Sequence, residues 1–259
     1  MNVPPGTAIN GPDDAHAQTV YDDAYFNSGG AGYADYLANA ELLRNHGRRY
    51  AGIVRAHAAP GRMLDVGAAA GYVLRGFCDA GWQGHGVEPN ASMARLAREG
   101  LGLDVQCGTA ETCAAAEPFD LISMIQVMAH LTDPVRALTN MAQATRPGGL
   151  WLIETWDFHS WTARLTGEKW HEYSPPSVLH WFSRASLTRL VARFGFHVVA
   201  HGRPRKHISG AHAKSLLRYK FESSALRPMV DLGLRLIPDQ ADLVYPAEDL
   251  FWILCRKTD

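Results

Sequence analysis

Residues 64–72 read Leu-Asp-Val-Gly-Ala-Ala-Ala-Gly-Tyr, and the fold turns on them. Met63-Leu64-Asp65-Val66 is a short apolar run, read as a strand. Tyr72 to Ala80 has helical spacing and is stopped by Gly81. Between them lies a loop with no side chain larger than a methyl group. Such a loop lets a ligand come close to the backbone, and the helix start offers unpaired N–H groups.

Outward from this point strands and helices alternate. Gln83 to Glu88 reads as a strand and Ala91 to Glu99 as a helix, stopped by Gly100. Leu103 to Cys107 is a strand, and Phe119 to Gln126 is apolar enough for a strand covered on both faces. Asp133 caps a helix from Pro134 to Thr145, Pro147-Gly148-Gly149 is a turn, and Leu150 to Thr155 is a strand. Ser183 caps a helix over 184–193, ended by Gly195, before strands at Phe196 to Ala200 and Leu250 to Cys255. This alternation predicts an α/β chain: a doubly wound, Rossmann-like, mostly parallel sheet with helices on both faces.

The flanks differ. Residues 1–18 are rich in Pro, Gly, Asn and Asp and read as a flexible lead-in. A helical cap is expected over 19–60, chiefly from Ala31 to Ala58, ahead of a ligand-binding core over 61–156. An aromatic, His-rich insertion follows at 157–182, and a helical one opening on a basic stretch at 203–243, all within a single domain over 19–259.

Composition bounds the function. The 259 residues are 47% hydrophobic and 20% charged, enough for one substantial core. Lys and Arg total 25 against 26 acids, a net charge of −1 that argues against general nucleic-acid binding. The 4 cysteines form no C-x-x-C pair and suit a reduced compartment. The longest uncharged apolar stretch, Leu121 to Thr132, is shorter than the ~20 residues of a membrane span. The first residues lack the basic and apolar regions of a secretory signal, so a cytoplasmic location is expected.

The loop chemistry narrows the ligand. Glu88 follows the loop by about 20 residues, where an acid suits ribose hydroxyls. A dinucleotide loop prefers G-x-G-x-x-G, whose middle glycine admits the pyrophosphate. Here Ala69 holds that place, and Asp65 puts a negative charge beside the loop. That arrangement suits a ribose-bearing ligand with an ammonium and no phosphate, and S-adenosylmethionine fits it better than NAD. No tyrosine is followed four residues later by a lysine, so the short-chain dehydrogenase pair is absent as well.

With these motifs the chain resembles the class I S-adenosylmethionine-dependent methyltransferases. The resemblance covers about residues 20 to 202. It rests on the loop, GVEPNASMARLA (86–97), GTAET (108–112), FDLISMIQVMAHLTDP (119–134) and RPGGLWLIET (146–155). YDDAYFN (21–27) and the segment 167–196 make it most similar to ubiquinone-biosynthesis-type O-methyltransferases and their sugar and natural-product relatives. The sheet would then have seven strands. Two departures stand out: Ala68-Ala69-Ala70 replaces the common Gly-Cys-Gly, and Ala129 replaces the acid before His130.

The resemblance implies a cofactor site from Tyr25, Asp65, Gly67, Ala68, Ala69, Gly71, Tyr72, Glu88, Pro89, Met93, Thr109, Ala110, Glu111, Gln126 and Val127. Tyr21, Tyr25 and Phe26 would close over the cofactor, and S-adenosylhomocysteine would be the product. Ligands of open α/β sheets lie at the carboxyl ends of the strands. His130, just after the fourth strand, is therefore a candidate general base, with a backbone-tying role as the competing assignment. Trp156, Trp170, His171, Tyr173, His180 and Trp181 form a candidate acceptor wall, able to stack on rings and bond hydroxyls. His159 and His201 are weaker candidates, and no metal site is expected. The expected partner is a small-molecule acceptor with a natural-product, sugar or quinone-like hydroxyl, for a monomer or homodimer away from membranes. The alternatives are N- or C-methylation, an RNA acceptor suggested by the basic run Arg203, Arg205, Lys206, His207, Lys214, Arg218 and Lys220, and a non-catalytic cofactor-binding protein.

Overall fold

A computed structural model describes residue 19 and residues 36–175, 177–210, 213–214, 217–218, 227–245 and 247–258. The described chain forms two compact units, one from residues before Pro204 together with Glu248–Asp259, the other Pro204–Ala247.

The first unit holds a seven-stranded sheet. In chain order its elements are α1 (Ala40–Arg55), β1 (Arg62–Val66), α2 (Tyr72–Asp79), β2 (Gln83–Glu88), α3 (Ala91–Leu101), β3 (Asp104–Cys107) and β4 (Phe119–Ile125). These are followed by α4 (Pro134–Ala144), β5 (Thr145–Trp156), α5 (Trp161–Thr166), α6 (Arg184–Ala192) and β6 (Phe196–Gly202). The second unit contributes β7 (Lys206–Ser209), α7 (Arg227–Leu234) and β8 (Asp242–Tyr245), and β9 (Leu250–Lys257) returns to the first.

The large sheet runs β3-β2-β1-β4-β5-β9-β6. Strands β1 to β5 pair in parallel, and β9 lies antiparallel between β5 and β6. The doubly wound, mostly parallel sheet expected from the sequence is therefore present, with the order reversing between β1 and β4. That reversal is where such sheets place a ligand crevice.

Strand alternation divides the core in two. Leu64, Val66, Ile122, Met124, Trp151 and Ile153 face one way, against Leu138 and Met141 of α4 and Leu187 and Val191 of α6. Met63, Leu121, Leu150 and Leu152 face the other way, against Tyr50 and Val54 of α1, Leu74 and Phe77 of α2, and Ala94 and Ala97 of α3. Helices α1 and α2 are further joined where Asp79 receives Arg44 at 2.6 Å and Arg48 at 2.8 Å.

The caps follow the sequence. Asp133 accepts the Arg136 N–H at the start of α4, and Ser183 and Ser186 form a capping box on α6. Three boundaries differ from expectation. Helix α3 runs through Gly100 and ends at Gly102, whose left-handed backbone (φ 62°) lets its N–H close on Arg98. Pro147-Gly148-Gly149 lies within β5, because the β4–β5 register shifts between Phe119 and Leu121 and absorbs those residues as a bulge. Of the helix expected over 31–58, residues 31–35 lie outside the described residues, and α1 occupies Ala40–Arg55 after a 3₁₀ turn at Leu37–Asn39. The segment 203–243, expected to be helical, also carries an antiparallel strand pair, β7 with β8.

Candidate active site

At the carboxyl end of β1 the backbone turns through left-handed conformations at Gly67 (φ 71°), Ala69 (φ 47°) and Gly71 (φ 82°) before α2 begins. A side chain on Gly71 would meet Leu103 Cδ1 at 2.6 Å and Ala97 Cβ at 3.1 Å, so glycine is required there for helix packing as well as for backbone freedom. A Cβ on Gly67 would meet Val127 Cγ2 at 2.7 Å, which places Val127 directly over the loop. Ala69, Ala70 and Met93 form a small apolar cluster with Tyr36, against which Tyr72 packs. The Tyr36 and Tyr72 rings stack with centroids 5.8 Å apart.

Glu88 clamps this loop. Its Oε2 accepts the Ala69 N–H at 2.8 Å and its Oε1 accepts the Asn90 N–H at 2.9 Å. Asn90 in turn caps α3 by accepting the Met93 N–H at 2.8 Å. Burial pushes the Glu88 carboxyl up to about 7, the two backbone donors pull against that, and the neighbouring Asp65 adds to it. A carboxylate has about four acceptor positions, so two N–H bonds leave capacity for ribose hydroxyls. Asp65 is also buried and pushed up to about 7, with the Ser123 hydroxyl donating to its Oδ1 at 2.7 Å. Two buried carboxyls beside the loop disfavour a phosphate ligand, and the methyl-lined turn fits a nucleoside without one.

After β3, Thr109 and Ala110 are buried beside Gly108, whose N–H bonds the Glu88 carbonyl at 3.0 Å. Pro89 accepts from the Cys107 thiol at 3.6 Å. Glu111, expected at the cofactor, is tied to the start of the next helix. Its Oε1 accepts the N–H groups of Thr132 at 3.0 Å and Asp133 at 3.3 Å, so its carboxylate braces the entry to α4. Tyr25, Tyr21 and Phe26 lie outside the described residues.

The exit of β4 carries a feature that the sequence does not announce. Gln126 is non-glycine yet has φ 59°, a conformation that costs about 1–3 kcal/mol and concentrates at functional sites. Glu154, fully buried on β5, holds it twice. The Gln126 N–H donates to the Glu154 carbonyl at 2.8 Å, and Gln126 Nε2 donates to Glu154 Oε1 at 3.2 Å. The Tyr50 hydroxyl of α1 donates to Glu154 Oε2.

His130 closes a 3₁₀ turn, Met128–His130, and its Nδ1–H donates to the Ser177 carbonyl at 2.7 Å. Burial lowers its pKa, so the ring is neutral at pH 7. The Ala129 carbonyl accepts from Leu179 (2.8 Å) and His180 (3.1 Å), and His180 Nε2 donates to the Leu131 carbonyl at 2.9 Å. His180 therefore fastens the aromatic segment to the β4 exit.

The other aromatic residues gather near the ends of β5 and β9. The Trp156 ring meets the His171 edge at 4.7 Å, and Trp170 lies 5.9 Å from His171. Trp170 Nε1 donates to the buried Asp249 at 3.2 Å, and His171 Nε2 stands 3.8 Å from the same carboxylate. Partial burial lowers the His171 pKa, and Asp249 opposes that shift. Tyr173 stacks on Trp181 at 5.3 Å, whose indole N–H donates to the Glu172 carbonyl at 2.9 Å. His201 sits on β6 beside Arg184, whose Nη1 lies 3.2 Å from Nδ1, and His159 packs on Phe158, so neither joins the cluster. Sequence reading missed Tyr36, Tyr50, Glu154 and Asp249. For Glu154 a signal exists: it continues the Leu150, Leu152 alternation toward the helix-covered face, where a carboxylate needs partners.

Among the described residues no group of three or more His, Cys, Asp or Glu is arranged to hold a metal. No described helix is long and apolar enough to cross a membrane.

A family model described as a methyltransferase domain matches residues 35–201. Curated relatives include ubiquinone biosynthesis O-methyltransferases. That of Bradyrhizobium sp. (strain ORS 278) is 34% identical over 130 residues, 48% of this chain and 49% of the relative. That of Parvibaculum lavamentivorans is 38% identical over 100 residues, 36% of this chain and 40% of the relative. The matched region thus spans half the length of these relatives or less. Two solved structures share the fold. The Burkholderia thailandensis 1,6-didemethyltoxoflavin-N1-methyltransferase, solved with bound 1,6-didemethyltoxoflavin and S-adenosylhomocysteine, gives a TM-score of 0.56 at 17% identity, covering 98% of this chain and 93% of that one. A Thermotoga maritima S-adenosylmethionine-dependent methyltransferase gives 0.55 at 23% identity, covering 86% and 95%.

Proposed function

The chain belongs to the methyltransferase-domain family, and from that premise we propose that it transfers a methyl group from S-adenosylmethionine to a hydroxyl oxygen of a small molecule. The observation that carries the reading is the clamp of Glu88 on Ala69 and Asn90 beside a phosphate-averse loop. S-adenosylmethionine supplies a methyl carbon that is already electrophilic. The chain's share is to hold the ribose, align the acceptor and remove its proton.

Glu88 takes the ribose hydroxyls in this reading. Gly67, Ala68, Ala69 and Gly71 let the ligand approach the backbone, and Asp65, Gln126 and Val127 face the loop from β1 and β4. Tyr72, Met93, Pro89, Thr109 and Ala110 wall the nucleoside side. His130 is the proposed proton acceptor. Its Nδ1–H is committed to the Ser177 carbonyl, which makes Nε2 the basic nitrogen. With S-adenosylmethionine bound, His130 Nε2 would take the proton of the acceptor hydroxyl, while the cofactor would supply the methyl group and keep the electron pair of the broken carbon–sulfur bond. Trp156, Trp170, His171, Tyr173 and Trp181 are the proposed acceptor wall. The second reading gives the base role to His171, favoured by the buried Asp249 at 3.8 Å. A natural-product, sugar or quinone-like acceptor is in keeping with the names of the curated relatives.

An RNA acceptor is disfavoured because two cations of the basic run are paired. Lys214 is paired with Asp239 at 2.6 Å and Arg218 with Asp231 at 3.1 Å, which leaves less charge for phosphate. Calorimetric titration with S-adenosylhomocysteine, with NAD as control, tests the reading. Binding of the first and not the second is expected. Binding of neither overturns it.

A further inference from the structure

Glu154 is a fully buried carboxylate that the proposed chemistry does not use. It lies on β5 two residues before the strand ends, with Ile125, the last residue of β4, as its partner. Isolated burial of such a group is costly, so its neighbours must repay it with hydrogen bonds. Two do so from different parts of the chain. Tyr50 reaches it from α1, the helix preceding the sheet, and Gln126 reaches it from the β4 exit. The same residue holds the Gln126 backbone N–H at 2.8 Å. Gln126 is thereby kept in its left-handed conformation, and the next residue, Val127, is set against Gly67. Val127 Cγ2 is so close to Gly67 that the loop and the β4 exit share one wall.

We infer that Tyr50 is a positioning residue for the cofactor site, acting through Glu154 on Gln126 and Val127. The N-terminal helix thus takes part in ligand binding without touching the ligand. Among the described residues the carboxylate takes a donor from each side, so loss of the Tyr50 donor loosens the hold on Gln126. A strained residue persists only while its surroundings over-determine it, so losing one restraint relaxes Gln126. The inference rests on the reading that this site takes S-adenosylmethionine.

The test is a double-mutant cycle on S-adenosylhomocysteine affinity, with thermal melting beside it. In the otherwise unchanged protein, Tyr50→Phe is expected to weaken binding roughly three- to tenfold, the worth of one hydrogen bond passed on to the site. In a Gln126→Ala background the same change is expected to alter binding by less than about twofold, while lowering the melting temperature as much as before. A purely structural Tyr50 gives equal losses in both backgrounds, or no loss of affinity at all, and either result overturns the inference. If Tyr50→Phe does not fold, Glu154→Gln keeps the volume and offers one acceptor where two donors need one. It is expected to show the same dependence on Gln126, and additivity overturns the inference again. Failure of the unmutated protein to bind S-adenosylhomocysteine overturns the cofactor reading itself. Binding without coupling overturns only the role of Tyr50.

Discussion

Asp65 and Glu88, on adjacent parallel strands, are both buried carboxyls, and the charge of Asp65 raises the pKa of Glu88. Both are pushed up to about 7. Their unfolded values lie near 4. Below about pH 4 both groups are protonated in either state, and this term costs nothing. Between about 4 and 7 the unfolded chain releases protons that the native state keeps, so stability falls as pH rises and levels off above about 7. Burial lowers the His130 pKa, which acts in the opposite sense near pH 6.5, so total stability against pH mixes the two. Comparison of Asp65→Asn with the unmutated protein isolates the carboxyl. The variant should melt higher at pH 8, by on the order of 2 kcal/mol, and match it near pH 4. A variant less stable at pH 8 would refute the claim that Asp65 is strained by burial.

Glu88→Ala should weaken S-adenosylhomocysteine binding by about 1–3 kcal/mol, since the ribose acceptor and the bracket on Ala69 vanish together. Calorimetry reads this directly. An unchanged dissociation constant would remove Glu88 from the site.

The loop glycines separate two effects. Gly71→Val should lower the melting temperature sharply and abolish cofactor binding, because φ 82° is unfavourable and Leu103 and Ala97 leave no room. Ala69→Gly should raise stability by roughly 0.5–1 kcal/mol and preserve binding, because it relieves a left-handed alanine at the cost of some chain entropy. Circular dichroism melts of the two variants check both signs.

Glu111→Ala should cost about 1–3 kcal/mol of stability by orphaning the Thr132 and Asp133 N–H groups, and leave S-adenosylhomocysteine affinity unchanged. A parallel loss of affinity would return Glu111 to the cofactor site.

His130→Ala should lower turnover at least 100-fold if the imidazole is the base, with cofactor affinity kept. If instead His171 has that role, His171→Ala shows the larger loss, and Asp249→Asn shifts the pH–rate profile. Labelled methyl transfer to an acceptor-containing extract, compared across the three variants, distinguishes them.

The strand, the glycine loop and Glu88 were legible because their signals are local. A strand, a glycine turn, a helix start and an acid about 20 residues on lie along one stretch of chain, and each has a steric or electrostatic reason to be there. What escaped the sequence is pairing at long range. Glu111 reads as an acid near a nucleoside, but its donors belong to residues 132 and 133, which only the folded turn brings to it. His180 reads as an aromatic-wall residue, and its bond to the Leu131 carbonyl is not readable from the sequence. Glu154 and Asp249 are single acids in apolar surroundings, and their partners Tyr50 and Trp170 lie 104 and 79 residues away. Gly100 and Gly102 show the same limit at short range: both can end a helix, and the choice falls on the one whose N–H closes on Arg98.

Strand order also governs how the molecule is made. β9 fills the gap between β5 and β6, pairing with both, yet it is the last strand of the sheet to leave the ribosome. Until it emerges, β5 presents an open edge and β6 has no neighbour to bond. The nascent chain therefore carries two waiting strand edges while the whole second unit, Pro204–Ala247, is translated. Exposed edges are where chains aggregate or recruit chaperones, so slower synthesis of that interval is expected to lower the yield of folded protein.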